Sequence, residues 1–163
     1  MGAGEEERAM MYTSTLFEQP GGEYCPCCGQ RVRKLNPHSM DFSKVKVLEE
    51  FARLCMRHEW VKNQRDPALV VEGEPTILTD DVHVYRLCWF GLMETKERRS
   101  GLYKVTPLGL AFLAGVADIP ERIWCKGGRV VQESPTRVKV GDVRNVILDR
   151  QFWDSYWMQQ QEE

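Results

Sequence analysis

Between Lys44 and His58 the apolar residues Val47, Leu48, Phe51, Leu54 and Cys55 recur three and four positions apart, the spacing that lays one stripe along a helix. Ser43 stands where a cap is needed, and Phe42 before it can staple onto Val47. A second helix is expected from about Asp80 to Phe90, with Val82, Tyr85, Cys88 and Trp89 on its buried side and Gly91 placed to end it in a left-handed conformation. Between these two helices, "RDP" and "EGEP" interrupt the periodicity of Lys62 to Thr79, which leaves only a short helix around Asp66 to Val71. Period-two segments follow: "LMET", the charged turn "KERRSG" and "LYKVT" read as a β-hairpin. Thr106 can cap the next helix, Pro107 suits its first position and Gly115 its stop. "ERIWCKGGRVVQ" has two β-prone arms around Gly127 and Gly128, a second hairpin. The tail reads as a strand and then a helix from about Asp142, with Val143, Val146, Ile147, Trp153 and Trp157 close to one face.

The order helix, poorly formed helix, helix ending in a glycine, strand, basic turn, strand is that of a winged helix-turn-helix. The expected class is therefore α+β: a winged helix-turn-helix over 41–117, preceded by a flexible arm (1–22) and by a cysteine knuckle and linker (23–40). A C-terminal hairpin and helix extension (118–158) and a frayed tail (159–163) follow it. In order, "HVYRLCWFGLMET", "GLYKVTPLGLAFLAGVADIPERIW" and "VGDVRNVILDRQFW" resemble a group of small uncharacterised bacterial and phage proteins. Those proteins set a CxxC knuckle ahead of a winged-helix domain and add a hairpin and helix after it. The resemblance covers roughly Tyr24 to Trp157. It implies the fold and the knuckle, and it implies no activity.

With 163 residues, the chain has room for one hydrophobic core with small appendages. No apolar run approaches the roughly 20 residues that cross a bilayer, so no membrane association is expected. The acidic opening "MGAGEEER" lacks the basic-then-apolar order of a signal peptide, which points to a cytoplasmic location, in a bacterium or a phage-infected cell if the resemblance holds.

A reducing compartment makes a disulfide framework a poor reading of the six cysteines. In "CPCCG", Cys25 and Cys28 have the C-x2-C spacing that lets two thiolates from a tight turn reach one tetrahedral zinc ion, and Gly29 lets the backbone fold under it. A closed site needs four ligands. The candidates to complete it are Cys27, His38, Cys55 with His58, and Cys125, of which Cys27 and His38 are preferred. Cys55 also belongs to an apolar stripe, and Cys88 reads as core. Inert thiols and a redox pair are the alternatives to zinc; the redox reading lacks its usual βαβ setting.

The net charge of −2 means that any nucleic-acid contact must come from a local patch. Lys96, Arg98 and Arg99 cluster at the tip of the first hairpin, and Arg31, Arg33, Lys34, Lys44 and Lys46 follow the knuckle. If the two groups share a face, they form a phosphate track for double-stranded DNA. The helix in the reading position is a poorer match, since its outward residues are expected to be Asp80, Asp81, His83 and Arg86, and only Arg86 suits a base edge. Its acids also suit the helix dipole. In the C-terminal "QFWDSYW", Trp153, Tyr156 and Trp157 fall at helical spacing; they either dock on their own domain or, if exposed, offer a protein partner an aromatic surface.

No phosphate-binding glycine loop, HExxH, nucleophile elbow or framed carboxylate pair is present in the sequence. The expectation is a binding protein and not an enzyme: a DNA-binding accessory or regulatory factor with structural zinc. A protein-interaction adaptor on the same scaffold is the alternative.

Overall fold

The structure is a computed structural model that describes residues 35–97 and 100–162, a mixed α+β arrangement of helices and several small sheets. These residues fall into two units, 35–38 with Arg122–Glu133, and the remainder.

The smaller unit is a three-stranded sheet in the order β1, β7, β8, built from β1 (Asn36–Ser39), β7 (Arg122–Lys126) and β8 (Arg129–Glu133). Its antiparallel hairpin turns at Gly127 and Gly128, with φ of 60° and 78°. Two consecutive left-handed residues are what a tight two-residue hairpin turn demands, so the Gly-Gly pair is read correctly from sequence. The expected linker at Asn36 to Ser39 is instead a strand, because backbone pairing with β7 supplies the hydrogen bonds that its short polar sequence does not advertise.

The larger unit begins with α1 (Phe42–Cys55), which buries Val45, Val47, Leu48, Phe51 and Ala52. Its cap is Asp41, not Ser43: the Asp41 carboxylate accepts from the Lys44 N–H at 3.0 Å. Phe42 thus falls inside the helix and stays half exposed, so the expected staple onto Val47 does not form. Trp60 leads into β2 (Val61–Gln64), and the short helix expected around Asp66 shrinks to a 3-10 turn at Pro67–Leu69 capped by Asp66. The segment from Lys62 to Thr79 carries more order than its broken periodicity suggests. β3 (Thr76–Leu78) pairs in parallel with β2, and the buried Asn63 amide donates to the Thr79 carbonyl at 2.9 Å.

Next come α2 (Asp81–Trp89), β4 (Met93–Thr95), β5 (Leu102–Val105) and α3 (Pro107–Leu113). The sheet order is β3, β2, β5, β4, with β5 antiparallel to both of its neighbours. Gly91 (φ 81°) ends α2 as expected. The Thr106 hydroxyl caps α3 by accepting from the Gly109 N–H at 3.1 Å, and Pro107 opens that helix. Phe51, Val61, Val84, Leu87, Leu92, Phe112 and Leu113 are buried in this unit, where α1 packs on α2, α3 and the inner face of β5.

Ile119–Pro120 (β6) pairs with Arg137–Val138 (β9), and a 3-10 turn at Val140–Asp142 follows. The last helix, α4 (Arg150–Glu162), starts eight residues later than the sequence pattern suggests. Asn145 takes a left-handed φ of 65°, and Asp149 caps the helix by accepting from the Phe152 N–H at 3.0 Å. Val143, Val146 and Ile147 therefore lie ahead of the helix, and Ile147 is 96% exposed. The expected fraying of the tail is replaced by helix through Glu162. Trp153 is buried; its indole N–H donates to Glu49 on α1 at 2.7 Å, and Arg53 of α1 lies over Phe152 and Trp153. Among the described residues no helix is long and apolar enough to cross a membrane.

Candidate functional site

The outer face of the larger sheet gathers a basic and aromatic cluster. Along β5, Tyr103 and Val105 are buried and Lys104 alternates to the other face, as the two-residue period of a strand requires. There the Lys104 ammonium sits 4.7 Å from the centre of the Trp60 ring, and Lys96, just past β4, approaches the same ring at 5.9 Å. Register brings Glu94 opposite Lys104, with 3.2 Å between their charged atoms, and Lys62 of β2 stands 3.6 Å from Glu74. These pairs are largely solvated, so each carboxylate tempers the local positive charge without removing it. Arg98 and Arg99 fall between β4 and β5 in the sequence and lie outside the described residues.

Helix α2 presents a different face from the one expected. Val82 and Tyr85 are 48% and 46% exposed, while Val84 and Leu87 are fully buried. Cys88 and Trp89 are half-buried. Arg86, expected to project outward, is half-buried too, and Asp80 precedes the helix at its N-terminal end without a side-chain capping hydrogen bond, 3.6 Å from Arg65. His83, expected on the surface, turns its Nδ1 into the interior, where no hydrogen-bond partner reaches it. In a nine-residue helix the stripes Val82, Tyr85, Cys88, Trp89 and Val84, Leu87 have similar spacing, and docking against α1 and the sheet decides between them.

Of the residues after the knuckle, Arg31, Arg33 and Lys34 lie outside the described residues. Lys44 does not join a phosphate track. It is only 2% exposed, and its ammonium is held by the Asp41 carboxylate at 2.6 Å and the Ser39 carbonyl at 2.9 Å. Lys46 is exposed on α1.

Cys25, Cys27 and Cys28 also lie outside the described residues. His38 is on β1 and the buried Cys125 on β7, neighbouring strands of the smaller sheet. Among the described residues no three His, Cys, Asp or Glu side chains come together in an arrangement that could hold a metal. In the larger unit, burial pushes the Cys55 thiol up, and burial with the Glu94 charge pushes Cys88 up to about 12. Both thiols therefore stay protonated at neutral pH and are poor nucleophiles. Burial, then Tyr85, Cys88 and Asp81, likewise raise the Tyr103 phenol, which keeps it neutral between α2 and β5.

The Trp60 cluster was missed by the sequence reading, which saw the basic turn but not the aromatic. Trp60 is 36 residues from Lys96 and 44 from Lys104 in the chain, and only the β2–β5 pairing joins them. No family model, no curated protein and no solved structure matches this chain.

Proposed function

We propose that this chain is a non-enzymatic winged-helix protein that contacts double-stranded DNA through the β4–β5 hairpin, as an accessory or regulatory factor. The observation that carries the reading is the Trp60 ring flanked by Lys104 and Lys96, with Arg98 and Arg99 between them in the sequence. Four cations on one short hairpin can gather phosphates despite a net charge of −2. The element order supports the assignment: α1, β2, the Pro67–Leu69 turn, β3, α2, β4, β5, with β2 and β4 on either side of β5, is compatible with a winged helix whose second helix is reduced to that turn. The resemblance to small bacterial and phage proteins of that plan agrees with it. Asp80, Asp81, Val82 and Tyr85 on the outer side of α2 suit neither phosphate nor base edges, so contacts are to the backbone and without sequence preference.

A structural zinc ion held by Cys25 and Cys28 belongs to the same reading. Its support is the C-x2-C spacing, together with the placement of the completing candidates His38 and Cys125 on neighbouring strands.

One observation favours the adaptor reading: Val82 and Tyr85 lie one turn apart and nearly half exposed on α2. The aromatic C-terminal helix supports that reading less than expected, because Trp153 is buried against α1.

Titration of full-length protein with generic duplex DNA at low and physiological salt tests the proposal. Binding is expected to be micromolar or weaker at physiological salt. Replacing Lys96 and Lys104 by Ala should weaken it for all sequences alike and reduce the salt slope by roughly two. No binding at low salt by folded protein rejects the DNA reading and leaves the adaptor.

A further inference from the structure

A pocket of about 420 Å³ opens in the larger unit, between the end of α3, the 3-10 turn at Val140–Asp142 and the start of α4. Its walls mix two kinds of chemistry. The half-buried Ala114 and Gly115 supply apolar surface, and the exposed Lys139 and Arg150 supply two cations. Among the described residues neither cation forms an ion pair, unlike Arg53, Lys62, Lys104 and Arg137, which all do. The carboxylate in the pocket wall is Asp142, and it is turned back onto its own loop: it accepts from the Lys139 N–H at 2.9 Å, while the Asp142 N–H donates to the Lys139 carbonyl.

Gly141, in the pocket wall, lies close to one of the two cations. A Cβ there would stand 2.7 Å from the Arg150 guanidinium and 3.5 Å from its central carbon. The guanidinium of the exposed Arg150 therefore lies against the turn, beside the pocket. A guanidinium fork and an ammonium beside a concave, partly apolar space fit a phosphate group carried on a small organic body, and the volume falls within the range of roughly 300 to 1,000 Å³ common for small-ligand sites.

We propose that this pocket binds a phosphate monoester, with Arg150 and Lys139 on the phosphate oxygens and Ala114 and Gly115 against the organic part. The site shares no residue with the Trp60 cluster, and the proposal does not depend on the DNA reading. Calorimetric titration of the full-length protein with adenosine 5′-monophosphate, adenosine and inorganic phosphate tests it. The monophosphate should bind saturably, adenosine at least tenfold more weakly, and inorganic phosphate should compete. Arg150→Gln and Lys139→Gln should each weaken the monophosphate about tenfold, the loss expected for one charge-assisted contact. Lys96→Ala should leave it unchanged.

A duplex DNA arm separates the two sources of phosphate. Duplex affinity that does not respond to Arg150→Gln assigns the pocket to a small ester. Duplex affinity that falls with Arg150→Gln, when the monophosphate fails to bind, assigns the cations to the DNA backbone and overturns the proposal. Absence of saturable binding, or binding that neither Arg150→Gln nor Lys139→Gln changes in variants with native circular dichroism, overturns it as well.

Discussion

Two tryptophans show how differently one residue type is used here. Trp153 is 1% exposed, has its indole N–H on Glu49 and lies beneath Arg53, so its removal leaves a cavity and takes one hydrogen bond from Glu49, which keeps its ion pair with Arg53. Trp153→Ala should lower the unfolding free energy by ~3 to 5 kcal/mol, the range for a large buried aromatic. The sequence pattern suggested that loss for Trp89 instead. Trp89 is only half-buried, so Trp89→Ala should cost clearly less in the same urea titration. Asp41 supplies a pH effect at the same scale. Burial works to raise its carboxyl, but the hydrogen bonds and charge of Lys44, with help from His83, outweigh that and hold it below its ordinary value of 3.8. A carboxyl depressed in the folded state stabilises the fold above its unfolded pKa, and the contribution is lost as pH falls through the lower folded value. Stability measured from pH 6 downward should therefore fall as pH drops below 3.8, and Asp41→Asn should show less of that fall.

At the scale of elements, α3 is locked onto the hairpin by a glycine. A Cβ on Gly109 would run into the Leu92 carbonyl oxygen and approach the Val105 methyl at 2.6 Å, and the Thr106 hydroxyl also donates to the Gly91 carbonyl at 2.7 Å. Gly109→Ala should destabilise the protein by ~1 to 3 kcal/mol despite the better helix propensity of alanine, because overpacking against backbone has no cheap relief. A stability gain in thermal unfolding would mean that α3 sits farther from β4 and β5 than the structure places it. The hairpin and this helix were legible in the sequence because Gly91, Thr106, Pro107 and Gly115 each carry a local conformational requirement. The parallel β2–β3 pair was not, since three- and four-residue strands separated by prolines and glycines leave too short a period to read.

For the whole molecule, the zinc proposal has a direct measurement. Protein purified without chelator should carry about one zinc per chain, and Cys28→Ser should lose it. The same substitution should leave thermal unfolding of the larger unit almost unchanged, because that unit has its own buried residues from Leu48 to Trp153. Metal-free protein with intact thiols would favour the inert-cysteine reading.

Local punctuation determined much of this protein directly from sequence. Residues that demand one backbone conformation, such as the Gly127–Gly128 turn and the Thr106–Pro107 start, specify their element whatever surrounds them. Tertiary structure alone decided which apolar stripe of α2 faces inward, where α4 begins, and that Lys44 is buried with Asp41 and not offered to phosphate. It also decided the two candidate sites. Trp60 meets Lys96 and Lys104 only across β2 and β5, and Lys139 and Arg150 line one pocket from different elements. Such choices depend on which surface a neighbouring element covers, and a short segment with two similar faces carries no local signal for that.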